Sequence, residues 1–312
     1  MAVTRLVTAR DMEPLETSHM ARTAILFGAQ DATWQALQTN FWTDTQLAAL
    51  QHEWESLNLF ADLSETAAVA GANAVMMCRL VRELDSSSAS VRDVVTDMVH
   101  SPKAGWREIV SKYRELAYRN HGSYEYENTL MLYFRDREME IKRAMLARSW
   151  SEMRCLPGVT NRPPYPQDTN SSNGGYRFSR GIAQRESLNN TLLGRSANSE
   201  ARRRLVVTAL ALERCRLEKG AYPNSLAELT PKWLAAAVPD YMDGKPLHYE
   251  ATSDGHFTLY SVGLDCTDGG GDIRQVKNWH EENGARTYTR GPEIDLVWPR
   301  PASPAESEEQ QQ

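Results

Sequence analysis

Three carboxylates and three glycines lie close together in one short segment near the carboxy-terminal end of this chain. Asp265, Asp268 and Asp272 fall within eight positions, and the glycines 269–271 separate the last two. Glycine permits backbone angles that let a short loop wrap its oxygens round a hard cation such as calcium. The spacing differs from that of an EF-hand. The alternative is an aspartate-rich turn that holds no ion.

Two histidines just before this segment form a second candidate site. His248 and His256 are expected on the polar face of a β-hairpin, near Asp268, where the three side chains would hold zinc in a metal-dependent hydrolase. The alternative is that both are ordinary surface residues. The sequence has no H-E-x-x-H, G-x-S-x-G, G-x-G-x-x-G or P-loop pattern. Because no nucleophile stands beside a base either, we expect a protein without catalytic activity.

Arginines gather on a predicted helix in the same half of the chain. They are Arg195, Arg202, Arg203, Arg204, Arg214 and Arg216. Such a cluster is compatible with a nucleic-acid or acidic partner, but a solvated helix face is the favoured interpretation. The net charge is −6, from 35 Lys and Arg against 41 Asp and Glu, and no aromatic residues are interleaved with the arginines. We therefore predict no nucleic-acid partner.

The bulk composition is that of a globular protein. At 312 residues and 41% hydrophobic content, the chain can form one large or two ordinary domains without disulfides. Its four cysteines include no C-x-x-C pair, which argues against structural zinc. No stretch approaches the roughly 20 apolar residues of a membrane span, and no signal peptide is visible. We predict no membrane span.

The carboxy-terminal elements must position the aspartates. A helix is predicted to begin at Glu200, behind an Asn198 or Ser199 cap, and to end at Gly220. The dipeptide Tyr222-Pro223 then forces an extended turn, because proline disfavours helix in the preceding residue.

A β-hairpin follows this turn. Strands at 247–251 and 257–262 flank a turn that places Gly255 in the left-handed conformation. The register that keeps apolar residues on one face predicts two cross-strand pairs, Ala251 with Phe257 and Tyr249 with Leu259.

Three stretches in this region carry a family resemblance: ALERCRLEKGAYPNSLAELTPKWL, VPDYMDGKPLHYE and FTLYSVGLDCTDGGGD. Their order resembles the globular domain of the major pseudopilin of type II secretion systems, a module also found in many bacterial proteins of no assigned role. The resemblance implies a long helix, a Tyr-Pro turn, a small antiparallel sheet and a calcium loop of the form S-x-G-x-D-x-x-(D/E)-G-G, followed by an Asp near a Trp.

The calcium loop of that family maps onto residues 261–270, and the later aspartate is either Asp272 or Asp295, which precedes Trp298 after a longer insertion. The calcium ligands that the resemblance implies are Leu264, Asp265, Asp268, Asp272 and Asp295. A true pseudopilin has an apolar membrane half before the helix, whereas residues 185–200 here read RESLNNTLLGRSANSE. We therefore expect no pseudopilus assembly by that mechanism.

The whole chain is expected to be α+β in four parts. Residues 1–154 are predicted to form an all-α helical bundle, in which Thr43 and Gln46 make a capping box. Residues 155–180, rich in proline, glycine and asparagine, are predicted to be a linker or long loop. The pseudopilin-like α+β domain, a helix packed on a short antiparallel sheet, is expected at 181–298, and a disordered tail at 299–312.

These observations favour a non-catalytic structural or interaction protein with an unknown protein partner and a calcium-binding carboxy-terminal domain. Because helix-like sequence begins close to Met1, we expect an upstream signal or anchor, and with it a periplasmic or cell-envelope location and an envelope- or secretion-associated role. The metal-dependent hydrolase remains the alternative.

Overall fold

A computed structural model describes residues 14–38, 41–83, 123–156, 192–252, 255–272, 275–282, 285–293 and 295–299. Most of the predicted linker and all but the first residue of the predicted tail lie outside these residues. Six helices fall within them: α1 (Glu16–Leu37), α2 (Asp44–Glu55), α3 (Leu63–Glu83), α4 (Ser123–Ala144), α5 (Trp150–Cys155) and α6 (Leu192–Lys219). The strands are β1 (His248–Ala251), β2 (Phe257–Ser261), β3 (Gln275–Glu282), β4 (Ala285–Glu293) and β5 (Leu296–Trp298). The predicted α+β class is confirmed.

The chain divides into two compact units. Unit 1 comprises Met1–Leu63, Arg143–Thr160 and Glu186–Gln312, and unit 2 comprises Ser64–Lys142 and Asn161–Arg185. In unit 2, Phe134 of α4 packs so closely on Gly71 of α3 that a Cβ at residue 71 would lie 2.8 Å from the Phe134 Cβ. Arg82 of α3 forms a salt bridge with Glu127 of α4.

The central element of unit 1 is α6, whose residues 205–212 are fully or almost fully buried. This helix begins at Leu192, eight residues before the predicted start at Glu200. The expected cap residue Asn198 instead accepts a hydrogen bond from the Arg202 side chain within the helix. The earlier start has a tertiary cause, because the added turns bury Leu193 and Ala197 in the core.

Helices α1 and α2 pack against α6, so the structure groups them with the carboxy-terminal elements rather than with the separate bundle predicted for residues 1–154. The capping box predicted at Thr43 and Gln46 is confirmed at the start of α2. The same helix buries Leu47, Leu50 and Trp54. Its apolar stripe needs a partner, and α6 supplies it.

A three-stranded antiparallel sheet in the order β1-β2-β5 packs against α6. Both predicted hairpin pairs, Ala251 with Phe257 and Tyr249 with Leu259, are confirmed. Gly255 adopts a φ of 83°, in the left-handed region as predicted. Strand β5 pairs with the other edge of β2, so Leu296 lies opposite Ser261.

The insertion between Asp272 and Asp295 contains an antiparallel hairpin of its own, formed by β3 and β4. The chain therefore leaves the aspartate-rich segment and returns to it after more than twenty residues. Among the described residues, no helix is long and apolar enough to cross a membrane, in agreement with the prediction.

Candidate functional site

Asp295 contacts the segment from Gly263 to Asp272, which we call the aspartate loop, from outside that segment. It is fully buried, with 0% of its surface exposed. Its Oδ1 accepts a hydrogen bond from the backbone N–H of Gly269 at 3.3 Å, and its Oδ2 accepts from Gly271 at 2.8 Å and Asp272 at 2.9 Å. The Asp295 N–H donates in return to the Asp272 carbonyl oxygen at 2.9 Å. One carboxylate thus closes the loop by satisfying three backbone donors.

Asp240 plays a similar part at the end of β2. It too is 0% exposed, and its Oδ1 accepts from the Ser261 hydroxyl at 2.7 Å and the Met242 N–H at 2.8 Å. Its Oδ2 accepts from the Val262 N–H at 2.9 Å. Burial raises the pKa of the Asp240 carboxyl, and these three donors act in the opposite direction. Asp240 therefore ties the segment after α6 to the end of β2.

Helix α5 supports the aspartate loop from a distant part of the chain. The buried Trp150 donates its indole N–H to the Leu264 carbonyl oxygen at 2.9 Å. The Arg154 guanidinium donates to the carbonyl oxygens of Leu264, at 3.2 Å, and Asp265, at 3.1 Å. The backbone N–H of Trp150 also donates to the Tyr241 carbonyl at 2.8 Å. A cation and an indole are thus fixed on the first turn of the loop.

An exposed polar group lies at the outer edge of the loop. Asp268 accepts hydrogen bonds from the Gly270 N–H at 2.9 Å and from the Tyr260 hydroxyl at 3.1 Å. The His248 ring stacks on the Tyr260 ring at 4.6 Å, and its Nδ1 lies 3.7 Å from Asp268 Oδ2. The Gly270 N–H, the Tyr260 hydroxyl and the His248 ring all contribute to lowering the pKa of Asp268, and the backbone donor is the largest of these causes.

Calcium needs several oxygens directed at one centre, and the structure allows the predicted ligands to be compared with that requirement. The Leu264 carbonyl faces an arginine and an indole donor, and both Asp295 oxygens accept from backbone N–H groups. The exposed Asp265 accepts from the Thr267 N–H at 3.0 Å. In the described parts of the chain, no three His, Cys, Asp or Glu side chains converge as a metal site.

The loop in this conformation is therefore organised by protein donors rather than as a preformed calcium cage. The Leu264 carbonyl and Asp295 Oδ2 each accept two hydrogen bonds already, so a calcium ion at either oxygen would compete with those donors. Calcium binding stays a prediction, and the loop geometry does not by itself support it.

The zinc alternative requires His248, His256 and Asp268 to share one centre. His248 lies opposite Tyr260, near Asp268, whereas His256 precedes β2, and its backbone carbonyl accepts a hydrogen bond from the Thr252 N–H. The two histidines are thus four residue steps apart along the hairpin, which corresponds to roughly 13 Å. Zinc ligands lie within about 2.2 Å of the metal, so the geometry does not support this hydrolase site.

Three residues that support this region are not identifiable from the sequence: Trp150, Arg154 and Asp240. Trp150 and Arg154 belong to α5, whose start carries a Ser149–Glu152 capping pattern that predicts a new helix but not its partner. Asp240 lies within the stretch VPDYMDGKPLHYE that carries the resemblance, and a buried role there has no local signal. All three act through contacts with residues far away in sequence.

Comparison of the chain with models of protein families, with curated proteins and with solved structures found no match.

Proposed function

We propose that this chain is a non-catalytic structural or interaction protein whose carboxy-terminal part is a pseudopilin-like module. The module consists of α6, residues 220–247 that follow it, the β1-β2-β5 sheet, the aspartate loop and Asp295. Its task in this proposal is to present a rigid surface to another protein. An envelope- or secretion-associated setting is part of the proposal and rests on the sequence resemblance alone.

One observation carries the proposal. The two carboxylates of the module that are fully buried both accept hydrogen bonds from the backbone of the module itself. Asp295 and Asp240 accept six hydrogen bonds between them, five from backbone N–H groups and one from the Ser261 hydroxyl. Catalytic carboxylates need room to reach a substrate. These two are instead used to fix loops, which is the arrangement expected of a scaffold.

The order of elements gives further support. A long helix is followed by the Tyr222-Pro223 turn, a hairpin in the predicted register, the glycine and aspartate loop, and a short strand that begins after Asp295. The Asp295–Trp298 pair sits where the resemblance implies an Asp near a Trp. The β3-β4 hairpin occupies the place of the longer insertion.

Photo-crosslinking in the cells that produce the protein tests the proposal. A photoreactive amino acid is placed at three exposed positions of the module: Leu217 on α6, Ala236 after the 3₁₀ turn Leu226–Leu229, and Glu250 on β1. The fully buried Leu210 is the control position. We expect a discrete adduct with a partner protein from at least one exposed position and none from Leu210.

The result that would overturn the proposal is equally specific. If no exposed position gives a discrete adduct, or if the adduct forms equally well from Leu210, the module does not present a partner surface in that setting.

A further inference from the structure

A small cavity lies in unit 1, where α1 packs against the amino-terminal part of α6. The polar residues that line it are His19, Arg22, Thr23, Ser196 and Ser199. Two buried leucines complete the wall, Leu26 of α1 and Leu59 of the segment between α2 and α3. The cavity volume is about 10 Å³, which is room for about one water-sized group.

Two polar atoms of this lining lack a hydrogen-bond partner. Within the described residues, neither Ser199 Oγ nor Arg22 Nε meets a donor or acceptor, and both atoms are shielded from solvent. Ser199 is a buried residue, with 3% of its surface exposed. A buried donor without an acceptor destabilises a fold, so such a pair of donors on one cavity indicates a further group that accepts from them.

Other polar groups of the cavity already have partners in the protein. Ser196 Oγ lies 3.1 Å from His19 Nε2, within hydrogen-bond distance. The Thr23 hydroxyl donates to the His19 carbonyl oxygen at 3.1 Å. A group bound in the cavity would therefore accept hydrogen bonds from the Ser199 hydroxyl and from the Arg22 Nε–H, one on each helix.

The electrostatic surroundings of the cavity are positive. Burial lowers the pKa of His19 to about 4, and the charged groups that lower it further are two cations, Arg22 and Arg195. Arg22 has one long ion pair, in which its Nη1 lies 3.9 Å from Asp62 Oδ2. The Asp62 side chain is 55% exposed, so water screens this pair, and the pair does not use Arg22 Nε. Hydrogen-bond donors in a positive environment favour an anion over a cation or a neutral group.

The size of the cavity restricts the anion to a single atom. Phosphate and sulfate carry four oxygens around a central atom, and a carboxylate has at least three heavy atoms, so all of them exceed a space for one water-sized group. Chloride is only slightly larger than a water molecule. It is spherical, so it accepts hydrogen bonds from an N–H and an O–H that approach from different helices.

We propose that this cavity binds one monovalent anion of the size of chloride, which accepts hydrogen bonds from the Ser199 hydroxyl and the Arg22 Nε–H. The bound anion joins α1 to α6. Because it binds the folded chain and not the unfolded one, the stability of unit 1 rises with the chloride concentration. This site is independent of the partner surface in the proposed function.

The test measures the melting temperature of the full chain while sodium chloride replaces sodium gluconate at constant ionic strength. Gluconate is a monovalent anion that is far too large for the cavity. We expect complete replacement to raise the melting temperature of the wild-type chain by about 2–4 °C.

Two variants of the cavity remove one donor each. Ser199→Ala removes the hydroxyl, and Arg22→Lys keeps the positive charge but lacks the Nε–H. We expect each variant to lose most of the chloride-dependent rise. The matched control is Thr208→Val, since Thr208 lies on the same helix, is 1% exposed and donates its hydroxyl to the Arg204 carbonyl oxygen at 2.9 Å, outside the cavity. This control should retain the full rise.

A wild-type melting temperature that does not respond to chloride would overturn the proposal, because the cavity would then hold water and no anion. Retention of the full rise in Ser199→Ala or in Arg22→Lys would overturn it as well, since chloride would then act elsewhere on the chain. Loss of the rise in Thr208→Val would have the same consequence, because the response would then follow any change in a buried hydroxyl of α6.

Discussion

Replacing Asp295 with asparagine tests whether one buried carboxylate holds the aspartate loop. Asparagine has nearly the same shape but a single acceptor oxygen, and its NH₂ group would face a backbone N–H donor. The three backbone donors at Gly269, Gly271 and Asp272 would lose their charged acceptor. One of them at least would lose any acceptor.

The magnitude follows from the three hydrogen bonds. A hydrogen bond to a charged group contributes about 1.5–3 kcal/mol, and a neutral one about 1 kcal/mol. Losing one charged bond and weakening two others costs roughly 3–5 kcal/mol, and removal of a buried charge offsets part of this. We expect Asp295→Asn to lower the free energy of unfolding of unit 1 by about 3 kcal/mol.

The assay combines urea unfolding with hydrogen exchange read by mass spectrometry, in the presence of a chelator. We expect faster exchange in the peptide that spans residues 263–272 of the Asp295→Asn variant, because its amides lose their acceptor. Asp265→Asn is the matched control. Asp265 is exposed and accepts one bond, from the Thr267 N–H, which asparagine can also accept. Its effect should stay within about 0.5 kcal/mol.

Equal stability of Asp295→Asn and Asp265→Asn, together with equal exchange in this peptide, would show that Asp295 does not hold the loop. The loop would then be held by its glycine backbone and by α5, and Asp295 would contribute nothing to its stability.

Two further predictions concern calcium and pH. The calcium hypothesis predicts that millimolar calcium raises the melting temperature of the chain and that Asp265→Ala abolishes the rise; an unchanged melting temperature of the wild-type chain would end it. Burial, together with Arg22 and Arg195, lowers the pKa of His19 from 6.5 to about 4. The unfolded chain therefore takes up this proton first, and stability falls as the pH drops from about 6.5 towards 4. Between pH 7 and pH 5 the loss from this residue is about 2 kcal/mol. Urea unfolding at both pH values should show a smaller loss for His19→Gln, and an equal loss in both proteins would contradict the assignment.

Local features of unit 1 were predictable because they depend on residues a few positions apart. The capping box at Thr43 and Gln46 closes within a single helical turn. The register of the β1-β2 hairpin follows from alternating apolar residues and from a glycine at the left-handed position, Gly255. In each case the interacting groups are adjacent in the chain, so residue type and spacing are sufficient.

The start of α6 shows where local signals stop being sufficient. Asn198 and Ser199 are good cap residues, yet the helix continues through them from Leu192. Packing of Leu193 and Ala197 in the core outweighs the local preference for a cap. Sequence patterns state what a residue favours, and the neighbours supplied by the fold decide whether that preference prevails.

By itself, the sequence determined the α+β class, the hairpin and the position of an aspartate-rich loop. Only the tertiary structure showed that Asp295 closes this loop from across an inserted hairpin, and that Trp150 reaches Leu264 over 114 positions of sequence. It also brought Arg214 into an ion pair with Asp44, 170 positions away in sequence. Such contacts depend on how whole helices and strands pack together. The residues next to a side chain in sequence do not indicate which distant residue it will contact.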